Sequence, residues 1–413
     1  MSNESTMEDA EARARAAGVQ VLDFDPECDP AFRDDPLGTM LAARRAGDIF
    51  YSTAARGFWV VTSYPLCREI GTDTENFSNR ETFTFYRKPS PGILIPPNLD
   101  PPEHTKVRRM LAPLLSPSAV KKLDSRARES VRRLADEVVA RGHCDFMADV
   151  ALRVPADVFL EHMGLPVEHT DDIIATRLLA GDLNASNDPD GSRLAAATAK
   201  INEMFVEVIA ERRRRPADDI PSYLLAQEID GKPLTDKEIL AMCYTLLGTS
   251  LGTTASTMAM LIAHLAHEPG LRRSITTDPD MVSGLIEEAL RYFPAIPLLP
   301  RTVRADIDFH GLPWKEGDRL VLLLPTANTD PGVFDEASTF DADRRPNRHI
   351  GFGLGPHTCA GAHLARMELR ALLEEWHAKV PDYRVGDLSE VKHEISVAIR
   401  MTTLPFVVGN ATN

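Results

Sequence analysis

Cys359 lies within HIGFGLGPHTCAG (residues 349–361), where glycines, a proline and two histidines surround a single thiol. A thiol becomes a strong ligand or nucleophile only as the thiolate, and a helix N-terminus favours that form through its free N–H groups and the positive end of its dipole. Downstream, Ala365, Leu369, Leu372, Leu373 and Trp376 recur at helical spacing, which predicts Cys359 at or just before the first turn of a helix. Gly353, Gly355 and Gly361 are expected to permit turns with positive φ and to let backbone N–H groups close on the sulfur. The stretch reads as a cradle for one sulfur anion; the plainer alternative is a buried cysteine in a glycine-rich turn. Cys28, Cys67, Cys144 and Cys243 show no CxxC spacing, and a total of 5 cysteines argues against a disulfide framework or a zinc cluster. Those four read as small apolar residues.

Charged residues form three further groupings. Glu288 and Arg291 stand three apart in EALR and share one helix face, as a common surface ion pair also would. His104 and Arg108 fall in DPPEHTKVR (100–108), and each alone would pass for a solvated residue. From 106 to 133, Lys106, Arg108, Arg109, Lys121, Lys122, Arg126, Arg128, Arg132 and Arg133 face only Asp124 and Glu129, in a chain whose formal charge is −15. That overall charge argues against a general nucleic-acid binder. The local excess suits either a solvated helix face or the docking of an acidic partner.

The elements that must position these residues are mostly helical. The 413 residues contain no repeat and no linker, and 43% of them are apolar, as in a globular chain. One large unit spanning 1–413 is expected, with roughly the first 20 residues, polar and lacking the apolar core of a signal peptide, disordered. Helices are expected over 118–141, 198–215, 235–267, 282–292 and 360–379. Strands are expected in 57–64, 306–314 and 319–325, which makes a minor β region. Residues 235–267 open with a capping box, Thr235 and Glu238, and carry no charged side chain from Ile239 to Ala263. A membrane span would fit that length, and Gly248 and Gly252 form a GxxxG pair. The hydroxyl-rich middle, GTSLGTTAST, instead suggests a buried central helix with something flat or large against its slim centre.

The run F352-G-L-G-P-H-T-C-A-G361 resembles the haem-binding loop of the cytochrome P450 family, of the form FxxGxxxCxG with a basic residue two before the cysteine. Glu288 and Arg291 match the family's ExxR pair, and F340-D-A-D-R344 resembles the segment that adds Arg344 as a third charge. The resemblance extends from about residue 30 to 408 and implies a mainly α fold with a minor β region. Haem b would lie between the helix at 235–267 and the helix after Cys359, with Cys359 on the iron. Phe352, Gly353 and Gly361 would shape the loop, and His104, Arg108, Arg301 and His357 would pair with the haem propionates.

The resemblance also implies a soluble, cytoplasmic, monomeric monooxygenase without a nucleic-acid or membrane partner, which inserts oxygen into a hydrophobic molecule. Its electrons would come from a ferredoxin and its NAD(P)H reductase, docked on the basic stretch. Thr253 matches the family's threonine beside the bound oxygen species, but Gly252 stands where most members carry an acid. Ser250, Thr253 or Thr254 hydroxyls would then complete proton delivery. A peroxide-driven or non-oxygenating haem-thiolate enzyme, or a haem sensor, is the alternative. By family position the substrate pocket draws on Phe83, Phe85, Tyr86, Leu247, Gly248, Leu251, Ile296, Leu299, Ala398 and Ile399, all of which would also serve as ordinary core. The polar stretch 180–191 would form part of a lid.

Overall fold

The computed structural model describes residues 3–80, 94–165, 170–182, 187–188, 190–395 and 398–409. Its centre is the long apolar run. Thr235 caps the start as expected: its side chain accepts from the Glu238 N–H, and the Glu238 carboxylate accepts from the Thr235 N–H at 2.8 Å. The expected single helix is two, Asp236–Ser250 and Gly252–His267, with a break at Leu251 (φ −86°, ψ −60°). Glycine after the break and hydroxyl groups before it weaken the helical ladder there. Of the most apolar window in this run, 72% is buried inside the molecule. The run is therefore a core helix, packed against Arg153–Phe159 and against Ala362–Ala371, the helix that follows Cys359.

Other helices shift by a few residues from their expected bounds. The run 118–141 divides into Pro117–Lys121 and Asp124–Arg141, and 282–292 begins earlier, at Pro279, behind the Asp278 cap. The helix after Cys359 continues through a π turn, Leu372–Trp376, to Lys379. Asn3–Ala16 is helical where disorder was expected. Ala14 in that helix is buried, and Arg13 holds Asp318 through two bonds of 2.8 Å.

The β portion is a six-stranded mixed sheet in the order Val21–Leu22, Ile49–Ser52, Phe58–Val61, Arg319–Leu323, Leu298–Val303, Phe77–Ser78. Residues 306–314 form a hairpin, turned by His310 (φ 53°) and Gly311 (φ 82°), rather than one strand. Strands at Tyr383–Val385, His393–Ile395, Ile399–Met401 and Pro405–Val408 were missed from the sequence because each has three or four residues. The architecture is mainly α with a minor β region, as expected.

Candidate active site

The site starts from a buried scaffold of charge. Glu288 and Arg291 are both 0% exposed and meet through two bonds of 2.7 and 2.8 Å. Arg344 adds its Nε to the same carboxylate at 3.2 Å, Asn347 its amide at 2.9 Å, and the Asp341 N–H a bond of 2.8 Å. Burial alone would raise the Glu288 pKa, but these donors outweigh it and hold the group below its ordinary value. Arg291 also donates to the carbonyls of Asn328, Ala337 and Thr339 at 2.8–2.9 Å. Asn328 in turn accepts the Ile350 N–H at 2.8 Å, which ties the scaffold to the start of the Cys loop. Gly351 lets that loop lie on the 279–292 helix, since a Cβ there would come within 2.3 Å of the Leu290 carbonyl.

Within the loop, the Gly353 N–H bonds the Ile350 carbonyl at 2.9 Å and the Cys359 N–H bonds the Phe352 carbonyl at 2.7 Å. Gly353 (φ 77°) and Gly355 (φ 60°) take the expected left-handed turns. Gly361 does not: at φ −84° it is the residue before the first turn of Ala362–Ala371, and its N–H donates to the Cys359 sulfur. Cys359 keeps an exposed face amid a dense surround. Contrary to the expectation of a lowered pKa, burial pushes the thiol up, more than the Gly361 N–H and the Arg108 and Arg366 charges lower it. Arg366 is held by Glu287 at 2.6 and 2.8 Å and lies 4.6 Å from the centre of the Phe352 ring. His349 joins Glu287 at 3.1 Å, and these partners bring the carboxyl to about 2 although burial opposes them.

His104 and His357, 253 residues apart by numbering, stack with ring centres 4.0 Å apart. The buried Nδ1 of His104 and Nε2 of His357 have no hydrogen-bond partner. Burial first, then Arg108, takes His104 down to about 4; burial, His104 and Arg301 take His357 to about 3. Arg301 is buried, which lowers it to about 10, and it donates to the Pro300 carbonyl at 2.7 Å. Unsatisfied buried nitrogens beside a buried guanidinium ask for an anionic acceptor, and two carboxylates suit them. This orphaned donor set fits the propionates of haem. Arg108 reaches the same region but spends one N–H on the Thr358 carbonyl at 2.6 Å, which braces the residue before Cys359.

On the facing helix, the Thr253 hydroxyl donates back to the Thr249 carbonyl at 2.9 Å, across the break at Leu251. Around Gly252, nothing lies within 4 Å of where a Cβ would stand. Gly248, Ile296, Leu299 and Ala398 are partly exposed and remain candidates for the pocket. Leu247 and Ile399 are 0% exposed and Leu251 3%; these three fill the apolar core and do not line open space. Phe83, Phe85 and Tyr86 lie outside the described residues, as does part of the expected lid: 180–182 end a helix, and 183–186 are not described.

The basic stretch is largely consumed by neighbours. Lys106 pairs with Asp230, Arg126 with Glu161, Arg128 with Asp124, Glu374 and Glu375, Arg132 with Glu375, and Arg133 with Glu137 and Asp157. Arg109, Lys121 and Lys122 are exposed and carry no ion pair among the described residues. Sequence reasoning also missed Glu368. It is 1% exposed, both of its carboxylate oxygens lack a hydrogen-bond partner, and burial raises it to about 8. The signal was present: Leu364, Glu368 and Leu372 stand four apart on the apolar face of one helix.

Comparison with known proteins gives the arrangement its class. The cytochrome P450 family profile matches residues 40–376. Cytochrome P450-terp of Pseudomonas sp is 33% identical over 77% of this chain and 80% of its own. The steroid C26-monooxygenase of Mycolicibacterium smegmatis is 30% identical over 80% of this chain and 82% of its own. The crystal structure of cytochrome P450 CYP101C1 superposes with a TM-score of 0.84 at 28% identity, covering 95% of this chain and 98% of that one. This chain belongs to the cytochrome P450 family. It is an oxidoreductase, a monooxygenase whose cofactor is haem b.

Proposed function

We propose that this P450 is a ferredoxin-dependent, monomeric enzyme of the cytoplasm acting on a small or medium hydrophobic molecule by hydroxylation or O-dealkylation. One oxygen atom of O2 enters the substrate and the other leaves as water, with two electrons passed from NAD(P)H through a reductase and the ferredoxin. Thiolate-bound haem supplies O2 activation and C–H oxidation. The chain's own residues do the rest. Cys359 is the iron ligand, and His104, His357 and Arg301 hold the propionates. Glu288, Arg291 and Arg344 fix the loop that presents the sulfur. The observation that carries this reading is the pair of orphaned histidine nitrogens beside buried Arg301, one loop turn from Cys359.

The substrate class rests on the apolar Ile296, Leu299 and Ala398, and a steroid oxidation in a 30% identical relative agrees with it. Arg109, Lys121 and Lys122 offer the free charge for an acidic ferredoxin. A peroxide-driven reaction is the second reading, favoured by the lack of an acid at Gly252. Purified protein should bind one haem per chain and show the red-shifted Soret band of thiolate ligation in its reduced CO complex. Cys359→Ala keeping that band would overturn the ligand assignment. Product formed only with added peroxide would remove the ferredoxin-driven reading.

A further inference from the structure

The hydroxyl groups around the central helices divide by what they bond. Thr245, Thr249, Thr253, Ser256 and Thr257 each donate to a carbonyl four residues back, and Ser250 to one three back, so these groups are spent within the long helical run. Thr198, on the helix Ser192–Arg214, breaks that habit. Its hydroxyl meets the Tyr244 hydroxyl of Asp236–Ser250 at 3.2 Å and makes no other hydrogen bond among the described residues. Both side chains are half-buried, and their two helices pack together. One turn away stand Leu194 and Ile201 on the first helix and Leu240 and Leu247 on the second, so the pair is a polar spot in an apolar wall.

From that spot an open strip runs along the helix. Tyr244, Gly248 and Gly252 are four residues apart and fall on one side; all three are partly exposed, whereas Cys243, Leu247 and Leu251 are buried. Neither glycine has a side chain to fill that side, and no atom lies within 4 Å of where a Cβ of Gly252 would stand. Eight residues at a rise of 1.5 Å put about 12 Å between Tyr244 and Gly252. Gly252 and Thr253 mark the proposed oxygen-binding side, so the strip leads from the chemistry to the hydroxyl pair. Thr249 and Ser250 between them are open too, but their hydroxyls are committed to carbonyls.

We propose that Tyr244 and Thr198 select the substrate: a flat, elongated apolar molecule lying along the Gly248 and Gly252 strip, with a carbonyl or hydroxyl oxygen at its far end held by this pair, about 12 Å from the carbon that is oxidised. The bond between the two hydroxyls can run in either direction. When Tyr244 donates, the Thr198 proton is left for a carbonyl oxygen of the substrate, and a substrate hydroxyl can equally donate to a lone pair on Thr198. In a mostly apolar pocket a few placed polar groups fix orientation, because a ligand that leaves them unpaired binds less well. A rigid molecule pinned at one end then presents its other end beside Gly252. The inference rests on the proposed hydrophobic substrate and deepens it, adding a length and one polar group.

The test titrates haem-loaded protein with three probes and follows the Soret shift on binding. Androstanone carries a ketone on its terminal ring, androstane is the parent hydrocarbon, and adamantane is a shorter hydrocarbon. Wild type should bind the ketone roughly tenfold more tightly than androstane, the scale of one hydrogen bond made in a dry pocket. Tyr244→Phe and Thr198→Val should each bring the ketone down to the affinity of androstane, whose own affinity should not change. Thr198→Ser, which keeps the hydroxyl, should restore the preference. Equal affinity for ketone and hydrocarbon in wild type, or a preference that survives both variants, overturns the proposal. So does a parallel loss of both ligands in the variants, which would make the pair a tie between two helices and nothing more. A shift with adamantane but with neither longer probe overturns the length while leaving the hydrophobic-substrate reading in place; no shift with any of the three sinks both.

Discussion

Among the described residues, Glu288 and Glu368 are the most deeply buried glutamates, and their surroundings are opposite. Glu288 is 0% exposed and receives donors from Arg291, Arg344, Asn347 and the Asp341 backbone. Glu368 is 1% exposed and receives none. The same burial that both suffer is overcome in the first case, leaving a permanent anion, and prevails in the second, leaving a neutral acid near neutral pH. A buried charge that is fully paired cannot change state without breaking its partners, so it holds structure. A buried carboxyl without partners is instead held neutral, because ionising it in place would leave an unpaired charge in the core.

The contrast is sharpest when both sites receive the same substitution. Glu288→Gln keeps the shape but strands two buried guanidiniums, and should destabilise the protein by roughly 3 to 5 kcal/mol, with poor haem retention. Urea unfolding and the haem-to-protein absorbance ratio measure this. A variant as stable as wild type would mean that the cluster is dispensable.

Glu368→Gln should act in the other direction, and with a pH dependence. The folded carboxyl titrates at about 8, above the ordinary value of 4.5, so folding favours its protonated form. The stability this gives wild type is complete below about 4.5 and is lost as pH rises through about 8. Glutamine stays neutral throughout, so the variant should gain on wild type over that range. Each pH unit between the unfolded and folded titration points is worth about 1.4 kcal/mol, so the gain above pH 8 is on the order of a few kcal/mol. Urea midpoints compared at acid and alkaline pH decide it; a difference that ignores pH would mean that Glu368 is ionised or solvated in the fold.

The two glutamates were not equally legible from sequence. Glu288 is three residues from Arg291, and a helix turns that spacing into contact, so the pair could be read without a structure. Arg344 required the family resemblance, since 56 residues separate it from Glu288. The Cys loop was legible because glycine positions and one thiol constrain each other within 13 residues, although Gly361 proved to need no left-handed turn. The burial of Glu368 could have been read from its place between Leu364 and Leu372, but its approach to Thr254 could not, because the two are distant in sequence and only helix packing brings them together. Core and candidate pocket positions were also indistinguishable in the sequence: Leu247 and Leu299 are both leucines, and only their burial differs. The short C-terminal strands failed for want of length, because three residues carry no period.

At the surface the same contrast between paired and unpaired charge gives the smallest effect. Arg128 meets Asp124, Glu374 and Glu375, so a visiting acidic protein would have to compete with carboxylates already in place. Arg109 and Lys122 have no such neighbours among the described residues and offer their full charge to a partner. Attraction between exposed charges is weak at each pair and screened within about 8 Å at physiological salt, so it governs encounter more than tightness. Arg109→Glu and Lys122→Glu should each raise the ferredoxin concentration needed for half-maximal NADH-driven turnover by several-fold and flatten its salt dependence, leaving haem content unchanged. Arg128→Glu should alter ferredoxin kinetics little and lower thermal stability, because it sets four carboxylates together. The reverse pattern, with docking lost only in Arg128→Glu, would show that paired charges remain available to a partner, and the distinction drawn from the two glutamates would not extend to the surface.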